Sequence, residues 1–346
     1  MPMFQTSVRS GLSIAAVAAT VLLASCATPE PEPVAPPPPP PPAVTLNEGV
    51  AEVASIYVTF IREVGSIEAG FPNAESIQAA IRRGAAYEPA QLSRGMIAYG
   101  SILALQSPEF VAGVRTFAVD PDQRRRMVER IIANPAYAAT LPGADKAAGL
   151  IVEVIGKDSA ALMTIANAVE EDAYTIQGRS DPRRRWASTH ITNREDRLEG
   201  AKSLSAVQML PSAEDAARLF AAANSGTGLS LTAAEAGPPY TPAVVNSLAI
   251  AALAALGAGG DDARANTEAL VVESNSEFCL NMSKLMLFQC LAASRPSYED
   301  IFCVGRPIMR DLATCTASNI TPIPPVTPAP DTAVAGAGGI SSPIAA

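Results

Sequence analysis

The chain has 346 residues, and 25 lysines and arginines against 34 aspartates and glutamates give it a formal net charge of −9. This acidic balance argues against a general nucleic-acid binder, which needs a basic surface to meet the phosphates. Because His190 is the only histidine, catalysis by imidazole pairs and zinc sites with two or more histidines have little support. We therefore expect neither a metal nor a cofactor.

The first 26 residues have the pattern of a targeting segment. Arg9 precedes the apolar run 12–24, whose 13 residues are fewer than the roughly 20 that a membrane-spanning helix needs. The run ends in Leu23-Ala24-Ser25-Cys26, which resembles the lipobox of bacterial lipoproteins. The resemblance implies that residues 1–25 are a signal peptide and that Cys26 becomes the lipidated N-terminus. An ordinary secretory signal cleaved nearby, or a short anchor, is the alternative.

The residues from Cys26 onward predict where the protein lies and how it is held. Ala27 stands where an aspartate would resemble the inner-membrane retention signal, so we expect an outer-membrane lipoprotein facing the periplasm, with the cell surface left open. Seven consecutive prolines occur within residues 26–44. Because polyproline II rises about 3.1 Å per residue, residues 29–42 can reach roughly 40 Å. We interpret them as a spacer; a proline-rich ligand for an aromatic groove is the alternative.

Between residues 45 and 316, helical periodicity and helix-forming residues outweigh strand alternation. Capping side chains and N1 prolines mark recurrent helix starts. The sequence therefore predicts an all-α protein, a multi-helical bundle between disordered proline-rich tails, the second tail covering 317–346. The predicted helices cover residues 47–68, 74–86, 89–105, 108–118, 121–133, 143–176, 182–190, 195–209, 212–223, 242–256, 262–292, 297–304 and 307–316.

Glycines and prolines interrupt the helical pattern at residues 224–240. Such a cluster is typical of a connecting loop, so we predict a helical domain at 45–223, a linker at 224–240 and a C-terminal helical subdomain at 241–316. Two segments contain glycines in patterns like those of functional loops: Gly149–Lys157 is compared with a phosphate-binding loop, and Ser225–Ser230 with the loop of a catalytic serine. Their glycine spacing and surroundings do not fit those loops, so they predict a buried helix and a flexible loop.

The segment 178–198 contains the only tryptophan, the only histidine and six arginines. One interpretation is a solvated connector whose tryptophan packs on the helices and whose arginines pair with nearby carboxylates. The other is a surface that binds an anionic envelope component, since guanidinium groups match carboxylates and phosphates. The residues of this candidate binding surface are Arg183, Arg184, Arg185, Arg194, Arg197, Trp186 and His190.

Four cysteines remain once Cys26 is lipidated, and disulfides persist outside the cytoplasm. Cys279 and Cys290 are 11 residues apart, about three helical turns, so they share one face of a helix. We expect a turn at 294–297 to send the chain back antiparallel. When two residues face each other across such a hairpin, the sum of their residue numbers is nearly the same for every facing pair.

These sums are 593 for Cys290 with Cys303 and 594 for Cys279 with Cys315, so the sequence predicts these two nested disulfides. We expect Gly305-Arg306-Pro307 to break the returning arm. The layout resembles twin-cysteine helical hairpins such as the CHCH fold, with C-x10-C and C-x11-C intervals in place of that family's x9 spacing. Zinc ligation and free thiols are the alternatives.

Together these features predict a cell-envelope lipoprotein whose helical periplasmic part is a binding or scaffold module without chemistry of its own. Its partners would be the membrane, through lipid on Cys26, and an envelope protein or anionic cell-wall component. A cell-wall hydrolase is the first alternative, because Glu75-Ser76 at a helix start resembles the catalytic Glu-Ser of helical lytic transglycosylases; it requires a desolvated acid in a cleft. A lipid or small-ligand carrier with an apolar cavity is the second.

Overall fold

The computed structural model describes residues 40–178 and 181–322, and within these ranges the chain forms helices and no β-strand. The predicted all-α class is confirmed. The predicted signal peptide, Cys26 and residues 323–346 lie outside the described residues. The α-helices are α1 (Glu48–Val64), α2 (Ala74–Ala85), α3 (Pro89–Ala104), α4 (Pro108–Arg115), α5 (Pro121–Ala133), α6 (Ala144–Gln177), α7 (Arg194–Ser205), α8 (Ala213–Ser225), α9 (Pro242–Ala255), α10 (Ala265–Glu268), α11 (Ser274–Ala293), α12 (Ser297–Cys303) and α13 (Asp311–Ser318).

Side-chain caps explain where most of these helices begin. Asn73 forms a capping box with Ser76 at the start of α2, in which each side chain bonds the other residue's backbone. Proline in the first turn follows the cap of several helices, where its missing N–H costs nothing. The capping side chains that accept a backbone N–H also include Asn47, Ser107, Asp120, Ser212 and Thr241.

Helix α9 lies at the centre of the core. Every residue from Ser247 to Leu256 is buried, which is typical of a helix enclosed on all sides. The polar group of Ser247 is satisfied, since its hydroxyl donates to the Ile97 carbonyl of α3 at 3.0 Å. Helices α1, α3 and α6 pack around α9 or around each other, and α6 also carries the C-terminal helices α12 and α13.

The first two residues of the predicted linker 224–240 belong to α8, and the rest is a non-helical connection between helices of one hydrophobic core. Leu219 and Ala223 before it and Val244 and Leu248 after it belong to the same hydrophobic cluster. The connection lies directly on α6 at Gly149, where a Cβ would overlap the Ala234 backbone. The glycine that begins the Gly149–Lys157 segment is therefore required for close packing.

Two bounds differ from the sequence prediction near residue 270. The predicted helix 262–292 is interrupted, because α10 ends at Glu268 and α11 begins only at Ser274. Glu273 starts α11, and its carboxylate accepts the N–H groups of Asn275 and Ser276 at 3.1 and 2.6 Å. The sequence does carry a start signal here, the S-x-x-E pattern of a capping box at Ser274–Glu277, which the prediction of one continuous helix did not use.

The predicted break at 305–307 is also wrong. The chain continues from α12 to α13 through the π-helical segment Val304–Arg310, whose wider turns accommodate the missing N–H of Pro307. The Pro307 carbonyl is used as well, since it accepts the Ser283 hydroxyl of α11 at 2.7 Å. The folded part also extends past residue 316, because Asn319 and Ile320 are buried.

The C-terminal helices form the predicted disulfide-linked hairpin. Cys279 is bonded to Cys315 and Cys290 to Cys303, each pair with its Cα atoms 5.7 Å apart. The chain reverses after α11, and the returning arm α12–α13 runs antiparallel to it, which the nested pairing requires. None of the described helices has the length and hydropathy of a membrane span.

Candidate functional site

Arg197, one of the predicted surface arginines, is buried inside the fold. Its guanidinium donates to both carboxylate oxygens of Asp300 at 2.8 and 2.6 Å, and to the Leu291 carbonyl and the Ser294 hydroxyl. Both side chains of the ion pair are 1% exposed. Arg197 therefore ties α7 to the turn between α11 and α12 and does not belong to a binding surface.

Arg184 and Arg194 are also engaged within the protein. Arg184 forms ion pairs with Asp172 on α6 and with Asp181, the latter at 2.9 Å, and this hydrogen bond lowers the pKa of Asp181. Arg194 donates to the carbonyls of Ser294 and Ala292 at 2.8 and 2.5 Å. Carbonyls at a helix C-terminus lack intrahelical partners, so Arg194 caps the end of α11.

Of the remaining residues of the predicted surface, one packs against the core and three are exposed. Trp186 is half-buried against the core, as the connector interpretation expects, and the backbone of exposed His190 bridges to Pro296. Arg183 is 90% exposed beside Asp181, and exposed Arg185 lines a surface depression of about 460 Å³. Only Arg183 and Arg185 of the predicted arginines thus keep guanidinium groups exposed for an anionic partner.

Glu75 does not have the surroundings that a catalytic acid needs. Its side chain is 75% exposed and pairs with Arg82 at 2.6 Å, in the first turn of α2. A general acid at a glycosidic bond needs a desolvated carboxyl with a raised pKa. The geometry around Glu75 instead matches a surface ion pair near the positive end of a helix.

Helix α11 exposes large apolar side chains on one side although it buries both apolar and polar side chains on the other. Phe278, Met282, Leu285 and Met286 are 67, 41, 45 and 48% exposed, and their spacing places them on one side of the helix. We call these four residues the outward face of α11. A surface helix normally turns such residues toward the core, and contiguous exposed apolar patches mark interaction sites.

The inward side of α11 combines leucines with the buried polar residues Ser276, Ser283 and Lys284, and these polar groups form hydrogen bonds within the protein. Ser276 accepts the side-chain amide of Asn319 at 2.9 Å, and Ser283 donates to the Pro307 carbonyl. Lys284 is 5% exposed. These internal hydrogen bonds fix the rotation of the helix about its axis, so the outward face cannot turn inward without leaving buried polar groups unpaired.

A groove of about 280 Å³ runs between the outward face of α11 and α13. The Cys279–Cys315 disulfide lies in this groove and joins its two sides. Asp311 also lines it, and burial raises the pKa of this carboxyl. The groove is therefore apolar along α11, covalently held at one position and acidic at its α13 side.

Asp311 forms no ion pair with any described residue. The two arginines nearest in sequence, Arg306 and Arg310, both pair with Glu170 of α6, at 3.4 and 2.6 Å. A carboxylate at the edge of an apolar groove attracts a cationic group, because opposite charges attract more strongly where water is partly excluded. The groove thus presents an apolar surface with one carboxylate that has no direct ion pair with a described residue, although the charges of Arg306 and Arg310 act on it and oppose the rise of its pKa.

The chain matches no family model, no curated protein and no solved structure. Its surface must therefore be interpreted from its own chemistry. The prediction from residues 178–198 identified a segment that is mostly used for internal contacts, whereas the outward face of α11 was not identified. A signal for it exists in the sequence: Phe278, Met282, Leu285 and Met286 lie between Leu280, Leu287 and Leu291, so α11 is apolar on both sides.

Proposed function

We propose that this protein is a cell-envelope lipoprotein whose helical body binds a partner protein through the outward face of α11. The observation that carries the proposal is the burial pattern of α11, with Phe278 and Met286 exposed while Ser283 and Lys284 are buried. Exposed aromatic and methionine side chains are enriched in protein interfaces, and flexible methionines adapt to the shape of a partner.

The chemistry of the groove favours one kind of occupant, an amphipathic helix with apolar side chains at three- and four-residue spacing and a lysine or arginine on its edge. Such a helix would lay its apolar side on Phe278 and Met282, in the helix-in-groove manner. Its cation would pair with Asp311, which has no ion-pair partner among the described residues. A net charge of −9 also favours a basic partner over a second copy of this chain or an anionic lipid surface.

Attachment to the membrane rests on the lipobox resemblance at Cys26. The chain contacts the body at the end of the predicted spacer and just after it: the Pro42 carbonyl accepts the Arg115 guanidinium at 2.7 Å, and the Thr45 N–H donates to the Ala254 carbonyl at 3.0 Å. The proline-rich residues before them would separate the body from the membrane by up to roughly 40 Å. A partner on another envelope component could then reach α11.

Site-specific photo-crosslinking in living cells tests the proposed surface. A benzophenone amino acid at position 282 should crosslink to a protein segment that contains apolar residues at helical spacing and a lysine or arginine. The same probe at position 132, where Ile132 of α5 is 45% exposed, is the matched control. Crosslinks only to lipid or to a second copy of the chain, or the same products from position 132, would contradict the proposal.

A charge substitution then measures the contribution of the surface. Phe278→Asp places a carboxylate on the apolar face near Asp311 and should weaken binding of the crosslinked partner at least tenfold. Ile132→Asp introduces the same charge at a comparably exposed apolar position and should leave the affinity unchanged. Both variants should unfold at the wild-type temperature, because neither changes a buried side chain. Equal affinities for the two variants would exclude the outward face as the binding surface.

A further inference from the structure

A second candidate site lies away from the outward face of α11, in a cavity of about 350 Å³. Its walls are the junction between α3 and α4, the first turns of α6, and residues 226–236, which we call the strap. No residue of the outward face lines it. Its volume lies in the range of small-molecule sites in proteins.

The strap begins with two glycines that have positive φ angles, and its far end is bonded to α6. Gly226 and Gly228 have φ angles of 68° and 104°, in the left-handed region that favours glycine. At the far end, the Ala236 N–H donates to the Asp145 carbonyl of α6 at 3.0 Å, and Glu235 pairs with Lys146. The strap therefore covers the cavity from a fixed end and can adjust at its glycines.

One wall of the cavity is apolar. Leu229 and Leu231 of the strap are half-buried and line the cavity together with Leu150 of α6. The backbone N–H of Leu231 donates to the Leu229 carbonyl at 2.8 Å, which folds the strap so that both leucines reach the cavity. A branched aliphatic group matches this wall in size and polarity.

Other lining residues are polar. The amide nitrogen of Gln106 donates to the Ala222 carbonyl at 3.0 Å, while its amide oxygen is buried and accepts no hydrogen bond from a described residue. This oxygen is enclosed by the protein, so a ligand in the cavity does not reach it. The exposed carboxylate of Glu109 also lines the cavity and accepts the Ser107 hydroxyl at 3.3 Å. Lys146, the cation that lines the cavity, is engaged by Glu235.

We propose that this cavity binds a small primary ammonium compound with a branched apolar side chain, the chemistry of a hydrophobic amino-acid amide or of the first residue of a peptide. The ammonium would pair with Glu109, and the side chain would lie on Leu229 and Leu231. Anionic ligands such as nucleotides are disfavoured, because Lys146, the cation of the lining, is already paired with Glu235 and an anion would face the carboxylate of Glu109.

Titration calorimetry on the full-length protein tests this assignment with defined probes. Leucinamide should bind saturably below about 10 mM, and N-acetyl-leucinamide, which lacks the ammonium, should bind at least about tenfold more weakly. A leucine-initiated tripeptide amide separates the two sources: tighter binding than leucinamide identifies a peptide N-terminus, and weaker binding identifies a free amino-acid derivative. Absence of saturation with leucinamide, or equal binding of the acetylated compound, would overturn the proposal.

Two variants locate the binding at this cavity. Glu109→Gln keeps the shape of the side chain and removes its charge, so it should weaken leucinamide at least about tenfold. Glu129→Gln on α5, another exposed carboxylate, is the matched control and should bind like the wild type. Ala233→Trp, at an exposed position of the strap that lines the cavity, should block access. Wild-type affinity of both Glu109→Gln and Ala233→Trp would place any binding elsewhere.

Discussion

The ammonium of Lys284 lies where three elements meet. It donates to the Ala85 carbonyl at the end of α2 and to the Ser205 hydroxyl of α7 at 2.7 Å, and it lies 3.7 Å from the centre of the Tyr87 ring. Burial lowers its pKa to about 7, although nearby Glu88 opposes this shift. The contacts hold α11 in register, yet the charged form carries a desolvation cost.

This cost predicts a particular pH dependence of stability. The folded-state pKa of Lys284 is about 7, whereas an unfolded lysine titrates near 10.4, so between these values the unfolded chain binds more protons. The free energy of unfolding should therefore gain up to about 1.4 kcal/mol per pH unit from this residue as the pH rises through that window. Burial raises the pKa of Tyr57 and Tyr87, so these tyrosines stay protonated there.

Urea unfolding of Lys284→Met at pH 7 to 9.5 measures this contribution by difference. The variant should lack the rise with pH that the wild type shows. Lys202→Met is the control, since Lys202 is a partly exposed lysine that pairs with Glu199 and should retain the rise. If the free energy of unfolding rose equally with pH in the wild type and in Lys284→Met, the lowered pKa of Lys284 would not be its cause.

The arginines of segment 178–198 should differ sharply in their effect on stability. Arg197→Met leaves the buried carboxylate of Asp300 without its cation and should cost about 3–5 kcal/mol in the free energy of unfolding. The double change of Arg183 and Arg185 to serine alters exposed side chains and should cost less than about 0.5 kcal/mol. Urea denaturation compares the variants, and similar losses would refute the distinction between internal and surface arginines.

At the scale of single elements, local signals predicted much of the fold. The caps at Asn73 and Thr241 give helix starts within a residue of those in the structure, and the hairpin geometry gives both disulfides. The interruption before α11 was missed because the S-x-x-E pattern at Ser274–Glu277 was not interpreted as a helix start; in the structure Glu273, one residue earlier, is the cap. The orientation of α11 was missed because it depends on partners distant in sequence, such as Ala85 and Ser205 for Lys284.

The two disulfides of the hairpin should contribute unequally. Cys279–Cys315 links residues 36 apart and Cys290–Cys303 residues 13 apart, so loop-closure entropy predicts losses of about 4 and 3 kcal/mol when each pair is changed to serine. Urea denaturation of the two double variants measures both losses. Peptide mapping without reductant should recover only these two linkages, and a Cys279–Cys290 linkage would refute the hairpin.

At the scale of the whole molecule, segment 224–240 shows why a local pattern did not reveal the organisation. Its glycines and prolines have the composition of a linker, yet α8 before it and α9 after it belong to one core. Composition reports whether a segment can form a helix, and it does not report what the flanking helices touch. The cavity under the strap was missed for the same reason, since Gln106 and Leu231 meet only through tertiary packing.

Attachment through Cys26 can be tested separately from folding. Cys26→Ala removes the thiol that the lipobox resemblance assigns to lipid, so the precursor should remain uncleaved at that site and take up no fatty-acid probe. The helical body begins after the spacer, and its first contacts come from Pro42 and Thr45. The body should therefore unfold at the same urea concentration in wild type and variant. Normal fatty-acid labelling of Cys26→Ala would refute the lipoprotein assignment. This result would not affect the proposed binding surface on α11, which the crosslinking experiment tests.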